Sequence, residues 1–183
     1  MRARKTEKAG RGAEPVATAD NDLFPGVWLI ASYLVLVIVF FLPVLLPGRM
    51  IFGTDYLAIS YPFEEIVTRW FRAGELPQWI PYVYGGVPFF ANPMDIYQPV
   101  TLALRLLHVP TYVHLPWIFI IHFSLAGTGM YLLVRELGVR RFAAYLTGLA
   151  FMFSGYLISF IFAGHEGRAI VAALAPLFLF VLY

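Results

Sequence analysis

The run VWLIASYLVLVIVFFLPVLL, residues 27–46, carries no charge over its whole length. At about 1.5 Å of rise per residue such a helix covers the ~30 Å hydrocarbon core of a bilayer. Trp28 and Tyr33 read as aromatic markers of its inner end, while Pro43, Pro47 and Gly48 stop it at the outer end. The rest of the chain supports the same reading. Of its 183 residues, 60% are hydrophobic, 17% aromatic and 13% charged, which is more apolar surface than a water-soluble domain of this size can bury. This is the composition of an integral membrane protein. No cysteine is present, so disulfides, thiol catalysis and Cys-ligated metals are excluded.

Working outward from this first span, of about residues 25–47, a second apolar run covers about 112–134 and a third about 142–163. A fourth begins at Ala169 and is still running at Tyr183. The expected fold is an all-α polytopic membrane protein of about four transmembrane helices, the fourth (169–183) incomplete. A large outer loop, residues 48–111, contains short interfacial helices. Residues 1–24 read as a disordered basic tail, with Arg2, Arg4, Lys5, Lys8 and Arg11 followed by a run with little to bury. A basic start before an apolar run also describes a signal peptide. The run is too long for that and has no small-residue cleavage site, so it reads as a retained span. The unfinished last helix suggests the N-terminal portion of a longer protein. The alternative is a complete small protein whose last helix is half-inserted.

Orientation follows from where Lys and Arg sit beside the spans. The tail is basic, and Arg135, Arg140 and Arg141 follow the second span. The long loop balances Arg49, Arg69, Arg72 and Arg105 against Asp55, Glu64, Glu65, Glu75 and Asp95. The N-terminus is therefore placed in the cytoplasm, and the long loop shares the outer face with the Gly164-His165-Glu166-Gly167-Arg168 link.

The long loop is stiffer and more aromatic than a connector requires. Residues 62–73 read as an amphipathic helix lying in the headgroup plane, with Phe63, Ile66, Val67, Trp70 and Phe71 in one stripe and a Glu65/Arg69 pair at i,i+4. Gly74 stops it, and a second short helix runs from Pro99 to His108. Asp55 stands about seven positions beyond the first span. It either caps the turn opened by Gly53-Thr54 or presents a carboxylate at the outer interface, where the phosphate of a lipid-linked substrate would lie. Glu64 and Glu65 are adequately explained by complementing the helix dipole. His165 and Glu166 form a second polar island. They are either a solvated link or a source of metal ligation, proton transfer or phosphate contact, with Arg168 adding fixed positive charge. His114 and His122, in or near the second span, read as satisfied interior histidines. Gly148, Ser154 and Gly155 suit close approach of helices. Phosphate-cradling loops, zinc-protease motifs and nucleophile elbows are missing from the sequence, and the one basic cluster is a topology signal, so nucleic acid is not an expected partner.

In order, Gly53-Thr54-Asp55-Tyr56, Tyr61-Pro62-Phe63, Gly74-Glu75-Leu76-Pro77-Gln78-Trp79, Pro81-Tyr82, Gly85-Gly86-Val87-Pro88-Phe89 and Ala91-Asn92-Pro93, with Gly164-His165 much later, resemble the YfhO-like bacterial membrane proteins. These are relatives of the GT-C glycosyltransferases. The resemblance implies a multi-pass protein of the bacterial cytoplasmic membrane that transfers a sugar from a polyprenyl-phosphate donor to an acceptor hydroxyl on the outer face. It implies Asp55 as general base. Arg168 or Arg72, or a divalent metal held by Asp55 with His165 or Glu166, would stabilise the leaving phosphate. Trp79 and Asn92, inside the motif, join His165, Glu166, Arg168 and Arg72 as expected substrate-binding residues. Membrane lipids and a polyprenyl-phosphate sugar are the expected partners. Such enzymes have many more spans than four, so a non-catalytic subunit or scaffold, docked to other membrane subunits through its aromatic cap, is the competing expectation.

Overall fold

A computed structural model describes residues 26–75, 78–82, 85–88 and 98–183. The basic tail, Asp95 and Asn92 lie outside these residues. The described chain is mostly helical. Helix α1 is Gly26–Leu45, and a π-helical turn Tyr56–Ser60 leads without a break into α2, Tyr61–Arg72. Two residues of β1, Trp79–Ile80, pair antiparallel with β2, Val87–Pro88. Then come α3 (Pro99–Leu106), a 3-10 turn (Thr111–Val113), α4 (His114–Glu136), α5 (Arg141–Met152), α6 (Gly155–Ala163) and α7 (Glu166–Leu182). Among the described residues, three segments are long and apolar enough to cross a membrane: Gly26–Leu45, Thr111–Glu136 and Arg141–Ala163. The fourth run forms α7, a helix of 17 residues with Pro176 inside it.

Helix α4 is the hub, packing against α1, α3, α5 and α7. Glycines let the backbones close up. A Cβ on Gly129 of α4 would lie 2.8 Å from the backbone nitrogen of Leu177 on α7, and one on Gly127 would lie 2.7 Å from Sδ of Met152 on α5. A Cβ on Gly148 would strike the Tyr33 hydroxyl. Tyr33 is therefore not the interfacial marker its position suggests. It is fully buried, its ring stacked on Tyr145 at 5.0 Å and its hydroxyl donating to the Tyr145 carbonyl at 3.0 Å. The space left by Gly127 and Gly148, together with an acceptor for the phenol, draws it inward. On the other side of α1, Val35, Val39, Phe40 and Leu42 stay exposed as an apolar face.

The third apolar run is two helices rather than one. Ser154 adopts an extended conformation (φ −61°, ψ 145°), and its hydroxyl accepts the Leu157 N–H at 3.4 Å, starting α6 afresh. Ser154 is thus a cap. The glycine beside it serves no helix contact, because a Cβ on Gly155 meets nothing within 4 Å. Of the three small residues, Gly148 alone makes the expected close approach.

Three residues of the α2 stripe, Phe63, Val67 and Phe71, pack against protein, while Ile66 and Trp70 stay half-buried. Phe63 and Val67 are buried with Ile80 of the hairpin, and Phe71 and Val87 pack against them, so this part of the stripe forms the wall of a small folded cap. A buried ion pair holds that cap down. Arg105 of α3 donates from Nη2 to both carboxylate oxygens of Glu64, at 2.6 and 2.5 Å, with its side chain wholly buried. His114 of α4 places Nδ1 3.4 Å from the same carboxylate and donates from Nε2 to the Val109 carbonyl at 3.0 Å. The Arg105 guanidinium also lies over the Phe71 ring, 5.5 Å from its centroid. Dipole complementation therefore understates Glu64, which joins α2, α3 and α4. Its neighbour Glu65 is bonded by the Thr111 hydroxyl and by Arg69, which hold its carboxyl below the usual range.

A second tie comes from Gln98. Its Oε1 caps α3 by accepting the Thr101 N–H at 2.8 Å, and its Nε2 donates to Nε2 of His122 at 3.0 Å, while His122 Nδ1 donates to the Ile118 carbonyl at 2.7 Å. Both interior histidines are satisfied, as expected of polar groups at depth.

Removing one partner of a buried pair strands the other charge, so Glu64→Ala should destabilise the protein by about 3–5 kcal/mol, whereas Arg69→Ala, on an exposed i,i+4 pair, should cost under ~1 kcal/mol. Denaturant unfolding in detergent, followed by the fluorescence of Trp70 and Trp79, checks the contrast.

Candidate functional site

Two glycines decide where the polar residues meet. A Cβ on Gly53 would lie 3.0 Å from both Cα and N of Gly164, and one on Gly164 would lie 2.6 Å from Cβ and 2.7 Å from N of Tyr56. The segment after α1 and the α6–α7 link therefore touch backbone to backbone. Gly164 also takes φ +75°, the left-handed conformation that ends α6, with its own N–H and that of His165 returning to the Phe160 carbonyl at 2.9 and 3.0 Å.

That contact puts Asp55 against His165. Nε2 of His165 lies 2.7 Å from Oδ2 of Asp55, across 110 residues of sequence. Asp55 makes no side-chain cap bond to the helix it precedes. Of its two readings, turn cap or presented carboxylate, the geometry thus sets the cap aside. His165 likewise makes no side-chain cap bond to α7. Side chains of the pair are 53% and 31% exposed, so water screens their attraction and the bond contributes little to stability, about 0–1 kcal/mol. The pair is better understood as an arrangement kept accessible.

It is accessible to a large cleft of about 970 Å³ between α6, α7 and the π-helical turn. Asp55, Ser60, His165, Glu166 and Arg168 gather at one end, and Tyr156, Phe160, Val171 and Ala175 extend the wall along the two helices. From His165 to Ala175 the helical rise gives a wall about 15 Å deep. A polar mouth over a long apolar wall suits an amphiphile.

Arg168 is exposed and lines this cleft, which also takes in Glu166. Arg72 and Trp79 are not among its lining residues. Arg72 lies exposed in the last turn of α2, and the Trp79 indole covers the hairpin backbone, where a Cβ on Gly86 would fall 2.5 Å from the ring. Of the expected site residues, the fold thus brings together Asp55, the expected base, with His165, Glu166 and Arg168. Asn92 is outside the described residues.

No group of three His, Asp or Glu side chains converges among the described residues. Asp55 and His165 stand at hydrogen-bond distance from each other, and Arg168 brings positive charge to the mouth.

One neighbour of the pair was not foreseen as buried. Tyr56, next to Asp55, is buried, and burial together with the charges of Glu64 and Glu166 pushes its phenol far above the ordinary range. A glycine followed shortly by Tyr gives no local sign that the ring turns inward.

Alanine at Gly164 meets the Tyr56 backbone and a positive φ at once. Gly164→Ala should part Asp55 and His165 beyond the 3.5 Å hydrogen-bond limit and cost about 1–3 kcal/mol. Gly155→Ala, in open space, should be neutral or slightly stabilising. Structures and melting curves of the two variants check this. Comparison with known protein families, characterised proteins and solved structures finds no match to the chain.

Proposed function

We propose that this chain carries the base and phosphate-facing residues of a GT-C-type glycosyl transfer, moving a sugar from a polyprenyl-phosphate donor to an acceptor hydroxyl at the outer face of a bacterial cytoplasmic membrane. The observation that carries the reading is the Asp55 to His165 hydrogen bond at the polar mouth of a cleft whose wall is apolar. The YfhO-like order of motifs in the Gly53 to Pro93 region supplies the reaction class.

In that reaction Asp55 accepts the acceptor's hydroxyl proton as its oxygen attacks the anomeric carbon. The bond from that carbon to the phosphate oxygen breaks, and its electron pair leaves on the polyprenyl phosphate. His165 acts as a positioning residue: by donating to Oδ2 it fixes the carboxylate's orientation and leaves Oδ1 for the acceptor. Arg168 faces the phosphate, where its guanidinium offsets the charge that builds on the leaving oxygen. The prenyl chain follows the wall of Tyr156, Phe160 and Val171, and membrane lipids fill the cleft when no donor is present.

A second reading, a non-catalytic subunit that docks other membrane subunits, draws on the exposed Trp79 and Tyr82 of the cap. Activity separates the two. Asp55→Asn should lower sugar transfer from a polyprenyl-phosphate donor by at least about 100-fold with little change in melting temperature. Trp79→Ala should leave transfer within about threefold of the parent, because the indole lies outside the cleft. Full transfer by Asp55→Asn would remove it as the base.

A further inference from the structure

The accessible pair has an inner counterpart. Asp55 is followed by Tyr56 and His165 by Glu166, and Tyr56 and Glu166 border one space on the inner side. There the Tyr56 ring is 2% exposed, and its hydroxyl finds no hydrogen-bond partner among the described protein groups. Tyr56, Glu64, Thr101, His114 and Glu166 line a small internal cavity there, with about 10 Å³ open to the centre of a water molecule. That is room for one water and for nothing larger.

The surrounding groups match a water's capacity. The phenol needs an acceptor for its proton. Two carboxylates border the space and accept only. Nδ1 of His114 is a further acceptor in the neutral ring, because Nε2 already donates to the Val109 carbonyl. Nδ1 and the Glu64 oxygen stand 3.4 Å apart at the border of this space, close enough for one water to reach both.

We infer that this cavity binds one water, which accepts from Tyr56 Oη and donates to the acceptors around it, and that Tyr56 is thereby a positioning residue for the Asp55–His165 pair. The water stitches the π-helical turn to the first turn of α7 from within, while the Asp55–His165 bond stitches them from the cleft. Glu166 borders both the cavity and the cleft, so the stitch reaches the Glu64, Arg105 and His114 cluster and ties the mouth of the cleft to the base of the cap. The inference rests on the cavity and holds whether or not the cleft transfers sugar.

Tyr56→Phe tests it by sign. Deleting a hydroxyl that truly lacks a partner leaves stability unchanged or improves it, whereas deleting one bonded to an ordered water lowers it. The expected result in the full chain in nanodiscs is a lower melting temperature, together with about two- to fivefold faster hydrogen exchange at His165 Nε2 in protein labelled with 15N-histidine. A melting temperature at or above the parent's would overturn the water, and unchanged exchange at His165 would overturn the positioning role. If Tyr56→Phe does not fold, Glu166→Gln and Glu166→Leu make the same comparison. The amide, which keeps an acceptor, should retain His165 protection and the leucine should lose it, and equal exchange in the two would overturn the proposal.

Discussion

The backbone contact between Gly53 and Gly164 is the constraint on which the rest of the site depends. A Cβ on Gly164 would run into Tyr56 and one on Gly53 would crowd the Gly164 backbone, so these two glycines let the chain after α1 and the link between α6 and α7 lie against each other. The proposed site residues lie close in sequence to that contact. Asp55 and Tyr56 follow one glycine, His165 and Glu166 follow the other, and the two pairs face each other on opposite sides of the seam. The cleft side is open and weakly stabilising, which suits groups that exchange protons. The inner side is buried, which suits groups that hold position.

Behind the seam the two halves of the structure are fastened differently. Among the helices, glycines on α4 and α5 admit Tyr33, Met152 and Leu177, so cohesion there comes from close packing with few polar ties. In the cap, where short helices have little apolar surface of their own, Glu64, Arg105 and His114 supply a buried charged clasp, and Gln98 links the start of α3 to His122. Such a clasp is poor in net energy but demanding in geometry. It determines where α2 stands, and α2 continues directly from the π-helical turn that bears Tyr56.

The sequence made some of this legible for clear reasons. Long apolar runs mark their own helices, and the stop at Gly74 and the helix after Gln98 follow from local signals. The meeting of Asp55 and His165 was anticipated from topology, since both segments fall at the same end of an alternating bundle. What escaped notice depended on partners far along the chain. Nothing near Glu64 announces Arg105, 41 residues on, and nothing near Tyr33 announces Tyr145, 112 residues on. The break at Ser154 escaped because Ser and Gly in an apolar helix serve equally as packing sites or as a cap. The apolar stripe of α2 was visible, but whether it would face lipid or protein turned on the hairpin at Ile80 and Val87.

The central claim is that the cleft between α6 and α7 takes the lipid phosphate, with its headgroup at Asp55, His165 and Arg168. Photolabelling in nanodiscs tests it most directly, with a polyprenyl phosphate bearing a photoreactive group near the phosphate and the adducts mapped by mass spectrometry. The account predicts labelling at Ile59, Tyr156, Phe160 or Val171, competed by unlabelled polyprenyl phosphate and lowered at least about fivefold in Arg168→Ala. Labelling confined to the apolar groove between α1 and α6, at Phe40, Phe52 or Phe162, and indifferent to Arg168, would contradict it.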